Sequence, residues 1–525
     1  MTGPLFLGLD AGTSQTKAGL FDLEGRELAV AEVATAVNRP RAGWSEIDPE
    51  IAYDAAIEVL RRVVQESGVD PGSIRGLGLS AAMVGAWVLD RQGRALRPGI
   101  TWEDSRSQAI IDRHRAQMPD FMSRIFQSSG SVMQQGCTLP VLAWLAENEP
   151  DLLAAAAHVV SLKDYLRCRL TGTIGTDRTE AAVLPGAAAL RDRSQDMISL
   201  FRLEPYAHLL PPVFDSEARA GGLAAPVASR IGVAAGLPVA VGAGDVAATV
   251  LGTGTLAPET AVAVLGTACM VGVVHDRPVF EPRDIGLLFT LPARRWYRAM
   301  LNVAGTSNLD WAFSTLAPDL ASDPERYQAL DAMLDATPPG ARGLTYLPYL
   351  SESGIIAPVV DPTARAQFSG LSPIHDRACL FRAVIEGVAF AMADLLDALS
   401  FDGRELVLVG GGAKSERWAQ TIADITGVTV HVPAGTQFGA RGAAWLAAAA
   451  SGQPVNLTKP VSGRATGRTH RPAVPGACCA SFRDARASFQ DTKLKLLARD
   501  VGSPDALLGL PQRLAAASSE SSVSS

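Results

Sequence analysis

The sequence predicts a mixed α/β protein of two large domains, each built on its own sheet. Three observations predict it. The chain has 525 residues, more than one hydrophobic core comfortably serves. Apolar strand-like runs alternate with stretches of helical spacing, and near residue 239 that pattern restarts. Each half also holds an apolar hairpin turned by glycine and hydroxyl-bearing residues, a weak duplication of topology and not of sequence.

Residues 5–10, 17–22 and 28–33 read as an antiparallel meander, 50–66 as a helix and 74–80 as a strand ending in small residues. A hairpin over 86–97 turns at Asp90-Arg91-Gln92-Gly93, and helices fit 104–116, 138–147 and 161–170. In the second half, strands fit 239–242, 260–265, 285–291, 296–302 and 406–409, and a helix fits 377–399. Beyond about residue 455 the chain becomes Pro-, Gly- and Arg-rich, with a helical stretch near 480–499 and a Ser-rich end expected to be disordered. Domains are drawn at 1–247 and 248–455, with an extension over 456–525.

Composition narrows the class. Hydrophobic residues at 47% and charged residues at 19% suit a soluble enzyme. A net charge of −7 argues against nucleic acid or an anionic membrane as the main partner. The six cysteines are scattered without CxxC spacing, so neither a zinc site nor a disulfide framework is expected. With no secretory pattern and no apolar run of bilayer length, the expected location is the cytoplasm.

The first turn carries the clearest chemistry. An apolar strand ends in Asp10, and the turn that follows can wrap a phosphate. Gly8 and Gly12 allow close backbone approach, Thr13, Ser14 and Thr16 offer hydroxyls, Lys17 offers charge, and Asp10 offers an oxygen to Mg²⁺. ATP is the ligand this implies. Gly266-Thr267 makes a second such turn, and Gly410-Gly411-Gly412 ends a strand where a flat base can lie on backbone. Asp245, in Gly242-Ala243-Gly244-Asp245, sits where a general base for an alcohol is needed, or where a helix needs a cap. Trp102 beside Asp104 suits a polyhydroxylated ligand, and Met83-Val84 can line the same pocket. Plain turns, caps and core packing are the alternative readings of these residues.

Eight motifs stand in one order: Gly8-Leu9-Asp10-Ala11-Gly12-Thr13-Ser14, Ala42-Gly43-Trp44-Ser45-Glu46, Trp102-Glu103-Asp104-Ser105-Arg106, Gly242-Ala243-Gly244-Asp245, Leu265-Gly266-Thr267, Asn302-Val303-Ala304-Gly305-Thr306, Ile385-Glu386-Gly387-Val388-Ala389-Phe390 and Gly410-Gly411-Gly412-Ala413. Through them, residues 4–450 resemble the FGGY family of carbohydrate kinases, which includes glycerol kinase, xylulokinase, ribulokinase and erythritol kinase. The resemblance implies two actin-like ATPase (ribonuclease H-like) domains with mixed sheets flanking a central nucleotide and sugar cleft. It implies that Asp10 and Thr13 serve the metal and phosphates and that Gly266, Thr267 and Gly305 touch phosphates. Gly411, Gly412 and Ser415 would lie by the adenosine. Trp102 and Asp104 would hold the acceptor, and Asp245 would take its hydroxyl proton. Homodimers are common in the family.

This chain departs from the family in three places. Glycerol kinases carry Arg-Glu, and xylulokinases Met-His, where Met83-Val84 stands; Val141 replaces a usual lysine, and Cys379 a frequent histidine. Tyr349–Gly354 and Asn308–Trp311 read nearer to erythritol kinase and L-xylulokinase-like members. The expected activity is ATP-dependent phosphorylation of a terminal hydroxyl on a small linear sugar or polyol, a pentulose or a tetritol. The alternative is a non-catalytic actin-like ATP-binding switch, which would need neither Asp245 nor an acceptor pocket.

Overall fold

The first strand, β1 (Leu5–Ala11), shows how its unit is assembled. Side chains alternate across a strand, so Leu5, Leu7 and Leu9 share one face while Phe6, Gly8 and Asp10 share the other. The leucine face is buried against helix Pro49–Ser67, which contributes Ala56, Leu60 and Val63. That helix begins where the Asp48 carboxylate accepts the N–H groups of Glu50 and Ile51, with Pro49 in its first turn, and stops at Gly68 in the left-handed region. On the opposite face, Phe6 and Phe21 pack on Ala440, Ala444, Ala447 and Ala448 of helix Phe438–Ala450. Glycine is needed there: a Cβ on Gly8 would lie 1.7 Å from the Ala440 carbonyl oxygen, and one on Gly78 1.8 Å from that of Ala443.

The computed structural model describes residues 3–458, 467–474, 476 and 478–498. The expected Ser-rich end lies outside them. Around β1 stand β2 (Gln15–Asp22), β3 (Glu27–Ala34), β4 (Ile74–Ala81), β5 (Arg219–Gly222), β6 (Pro238–Ala240) and β7 (Ala243–Gly244), in the order β5-β6-β4-β1-β2-β3 with β7 also on β4. β1, β2 and β3 are the expected antiparallel meander, and β4 runs parallel to β1, β6 and β7. The expected strand over 239–242 stops at Ala240, and β7 begins just beyond it at Ala243. The expected helix at 104 starts only at Gln108, because Asp104 and Arg106 serve a buried network instead.

A second sheet repeats this plan. β8 (Ala261–Leu265) pairs antiparallel with β9 (Cys269–His275) and parallel with β10 (Glu405–Val409). β10 pairs parallel with β11 (Thr429–Val432), and β11 antiparallel with β12 (Arg468–His470). Hairpin, two parallel neighbours and an antiparallel edge recur in the same order as β1/β2, β4, β6 and β5. The duplication expected from the sequence is therefore present in the pairing.

The second unit is centred on the buried helix Arg377–Ala398, begun by an Asp376 cap that accepts the Cys379 N–H. Helix Ala480–Leu497, close to the expected 480–499, packs on it through Phe390 and Phe489. Lys493 and Asp394 form an ion pair buried between these helices. The two compact units draw on Met1–Pro258, Val274–Arg298 and Ala434–Thr466, and on Glu259–Val273, Ala299–Pro433 and Gly467–Ser525. The chain passes repeatedly from one to the other. Among the described residues, no helix is long and apolar enough to cross a membrane.

Candidate active site

Three parallel strands of the first sheet end at one level. Asp10 on β1 is level with Ser80 on β4, and Ser80 with Ala243 on β7; one residue on, Ala11, Ala81 and Gly244 align. Helix Asp245–Gly252 starts immediately after. Strand ends of this kind gather functional groups because the next residues are free of sheet pairing. Here they gather two carboxylates, Asp10 and Asp245.

The environment of both favours the protonated form. Burial pushes the Asp10 carboxyl above its ordinary range, opposed by the Ser80 hydroxyl, which donates to Asp10 Oδ1 at 2.9 Å, and by the charge of Lys17 opposite on β2. Burial and then the charge of Asp10 push Asp245 up to about 7. A group with that proton affinity can accept a proton near neutral pH. Asp245 Oδ1 also accepts the Val246 N–H at 2.7 Å; the helix begins at Asp245 itself with Gly244 at its N-cap and no side-chain cap bond, so the capping reading of Asp245 is corrected.

The backbone under Asp245 is held from below. The Thr179 hydroxyl accepts the Gly244 N–H at 2.9 Å and donates to Asp177, which also accepts from Ser216. Lys163 bridges Asp177 and Asp164, and Arg167 links Asp164 to the Val241 carbonyl. From above, Gly439 comes so close to Asp10 that a Cβ there would lie 2.2 Å from its Oδ2. Sequence reading missed Gly439 and Thr179. The one available signal for Gly439 is the run of small residues Gly439-Ala440 and Gly442-Ala443-Ala444 in a helix.

Beside the carboxylates, the β1–β2 turn closes when the Gly12 N–H reaches the Gln15 carbonyl. Ser14 is exposed and Thr13 and Lys17 are half-buried, whereas the Thr16 hydroxyl bonds Thr35 inside the fold and is not offered to a ligand. Thr13 shares a small cavity with Met83, Val84, Trp87, Thr101 and Trp102. Trp102 Nε1 donates to Thr13 Oγ1 at 2.9 Å. Met83 leans over Gly244, where a Cβ would lie 2.5 Å from Met83 Cγ. Four residues expected for donor and acceptor thus line one cavity.

Asp104 does not join them. It is fully buried, its Oδ1 accepting from the Arg106 backbone N–H and Nε and its Oδ2 from Ser45 N–H and Arg106 Nη2. Arg106 continues to Glu46 and stacks over Trp44. With every lone pair engaged, Asp104 has no oxygen to give an acceptor. The expectation that it holds the acceptor is corrected: it anchors the loop that presents Trp102.

In the second unit, the Gly266-Thr267 turn follows β8, and Gly410–Gly412 follow β10, whose Val409 is level with Val264. Gly305 closes on this turn: a Cβ there would lie 2.3 Å from the Gly266 carbonyl, and the next N–H, of Thr306, donates to it at 2.7 Å. Helix Thr306–Leu316 begins here, so Gly266, Thr267 and Gly305 meet at a helix N-terminus, which favours anions. Ser415 is otherwise employed. Its hydroxyl caps helix Glu416–Thr426 by accepting the Trp418 N–H and donates to Asp331, so the expected adenosine contact is not open to that side chain. Among the described residues no group of three His, Cys, Asp or Glu could hold a metal ion.

Sheets with matched pairing plans, glycine-hydroxyl turns at their parallel strand ends and a carboxylate pair beside a small cavity define a kinase of a sugar or polyol. Residues 5–252 match the N-terminal domain, and 261–451 the C-terminal domain, of the FGGY family of carbohydrate kinases, and the chain belongs to that family. It is similar to the xylulose kinase of Escherichia coli (strain K12), 32% identical over 500 residues, covering 94% of this chain and 99% of that one. The erythritol kinase of Brucella abortus (strain 2308) is 31% identical over 474 residues, covering 86% and 88%. Among solved structures, xylulose kinase from Rhodospirillum rubrum superposes with a TM-score of 0.81 at 28% identity, covering 94% of this chain and 98% of that one. The protein is a phosphotransferase acting on hydroxyl groups of a sugar or polyol.

Proposed function

We propose that this kinase transfers the γ-phosphoryl group of ATP to a terminal hydroxyl of a four- or five-carbon linear polyol or ketose. The observation that carries this reading is the cavity that Thr13 shares with Met83, Val84 and Trp102, in which Met83 lies over Gly244, the residue before Asp245. A ring face and an apolar wall suit the CH groups of a short carbon chain.

In this reading Asp245 takes the proton of the attacking hydroxyl, its raised affinity matching the task near neutral pH. Thr13, Ser14, Lys17 and the backbone at Gly12 bind phosphate oxygens, as do Gly266, Thr267 and Gly305, while Gly411 and Gly412 border the adenosine. Asp10 fits a Mg²⁺ ligand: its carboxylate is held by Ser80 at one oxygen, and Mg²⁺ commonly takes one or two carboxylates plus phosphates. The ion would neutralise phosphate charge when bound.

Support for an enzyme over an ATP-binding switch comes from the acceptor cavity and Asp245, which a switch has no use for. The test is coupled ADP release over a panel of tetritols, pentitols, tetruloses and pentuloses, with glycerol included. Stimulation by a four- or five-carbon acceptor is expected. A response to none of them, with ATP bound, would favour the switch, and a preference for glycerol would remove the assigned substrate class.

A further inference from the structure

Val84 is a β-branched residue held at φ 58°, in the left-handed region that such side chains avoid. It also lines the acceptor cavity. Strain of this kind persists at functional sites only when the surroundings impose it. The Val84 N–H itself is held by one side chain, Glu180, whose Oε1 accepts it at 2.6 Å from the short helix Arg178–Ala181, while the adjoining Gly85 is held by the Gly136 carbonyl and the Thr138 hydroxyl.

Glu180 is buried, and its other oxygen, Oε2, has no partner among the described residues. The hold on Val84 is therefore its main recorded bond. The residue before it, Thr179, holds the Gly244 N–H. Adjacent residues thus grip the wall of the acceptor cavity and the backbone that bears Asp245. The groups facing Glu180 are Asp164, Lys163, Asp177 and Cys137. Burial first, then Asp164, push its carboxyl up to about 8, so at neutral pH it grips Val84 as a neutral group. Nothing in the family motifs quoted above drew attention to it.

We propose that Glu180 is a specificity-determining positioning residue: by clamping Val84 in its left-handed conformation it sets the shape of the acceptor cavity without touching the acceptor. The cavity's role in binding the acceptor rests on the proposed function; the clamp itself does not.

Two readouts separate these. Hydrogen–deuterium exchange reads the clamp without substrate: in Glu180→Ala the Val84 amide should lose protection by about tenfold or more, while Glu180→Gln, which keeps an oxygen acceptor, should retain it. Kinetics read the consequence: Glu180→Ala should raise the acceptor KM by about tenfold with the ATP KM within about twofold, and Glu180→Gln should restore it. Should Glu180→Ala not fold, Glu180→Asp, one methylene too short to reach, gives both readouts. Unchanged Val84 protection overturns the clamp whether or not an acceptor is found. Lost protection with an unchanged acceptor KM in an active enzyme, or an equal rise in both KM values, overturns the specificity role. A wild-type chain inactive on every acceptor counts against the proposed function alone, and the exchange result still decides the clamp.

Discussion

The indole of Trp102 donates to the hydroxyl of Thr13 at 2.9 Å, tying together two motifs that lie 89 residues apart in the chain. One belongs to the turn proposed for phosphate and the other to the wall proposed for the acceptor. Replacing Trp102→Phe keeps an aromatic face and removes the donor. The expected result is an acceptor KM raised by about tenfold, the worth of one hydrogen bond. Since Trp102 is half-exposed, thermal stability should hardly move. If steady-state kinetics show neither KM changed, the contact has no part in acceptor binding.

Asp245→Asn preserves shape and an oxygen for the Val246 N–H while removing proton affinity. We expect kcat to fall by about 10²–10⁴-fold, the usual worth of a general base. Nucleotide affinity, measured by titration calorimetry, should stay close to the parent value. Near-normal turnover would sink the assignment.

For Asp104 the structure predicts a stability effect and not a binding one. Asp104→Asn leaves Arg106 charged and buried with only Glu46 as an ionic partner. Breaking a buried pair costs about 3–5 kcal/mol, which a urea unfolding curve would register as an earlier midpoint. A variant of normal stability with a raised acceptor KM would return Asp104 to the acceptor site.

Glu386, buried in helix Arg377–Ala398, gives a pH signature. Burial, opposed by Arg382 and by the Gly340 N–H it accepts at 3.0 Å, pushes its carboxyl up to about 7. The native state then binds a proton that the unfolded chain releases at an ordinary value near 4.5. The favourable contribution is complete below that value and is lost as pH rises towards 7. Glu386→Gln, which keeps the oxygen for Gly340, should therefore gain in Tm relative to the parent between about pH 4.5 and 7 and level off above. A difference in Tm that is flat with pH would show Glu386 to be ionised in the native state.

Much of this was legible in the chain because local rules settle it. The β1–β2 turn, the helix capped by Asp48 and the strands that carry Asp10 and lead into Gly410 each follow from period, cap and turn chemistry within a short window. Asp104 and Ser415 were misjudged for one reason: a motif supplies a residue type, and only the fold tells whether its lone pairs are already taken. Arg106 takes those of Asp104, and Trp418 and Asp331 occupy the hydroxyl of Ser415. Glu180 and Gly439 were invisible because their significance lies wholly in partners distant in sequence, Val84 and Asp10.

The helix Phe438–Ala450 that covers Phe6, Gly8 and Phe21 is translated long after the strands it covers. Until the ribosome has released it, the sheet begun by the first residues has an aromatic face open to water. The sheet therefore cannot finish folding as it is made and must wait, guarded against aggregation, for a segment far downstream in the chain. A messenger truncated ahead of residue 438 would yield an uncovered sheet prone to self-association, with Asp10 lacking the neighbour that presses on it.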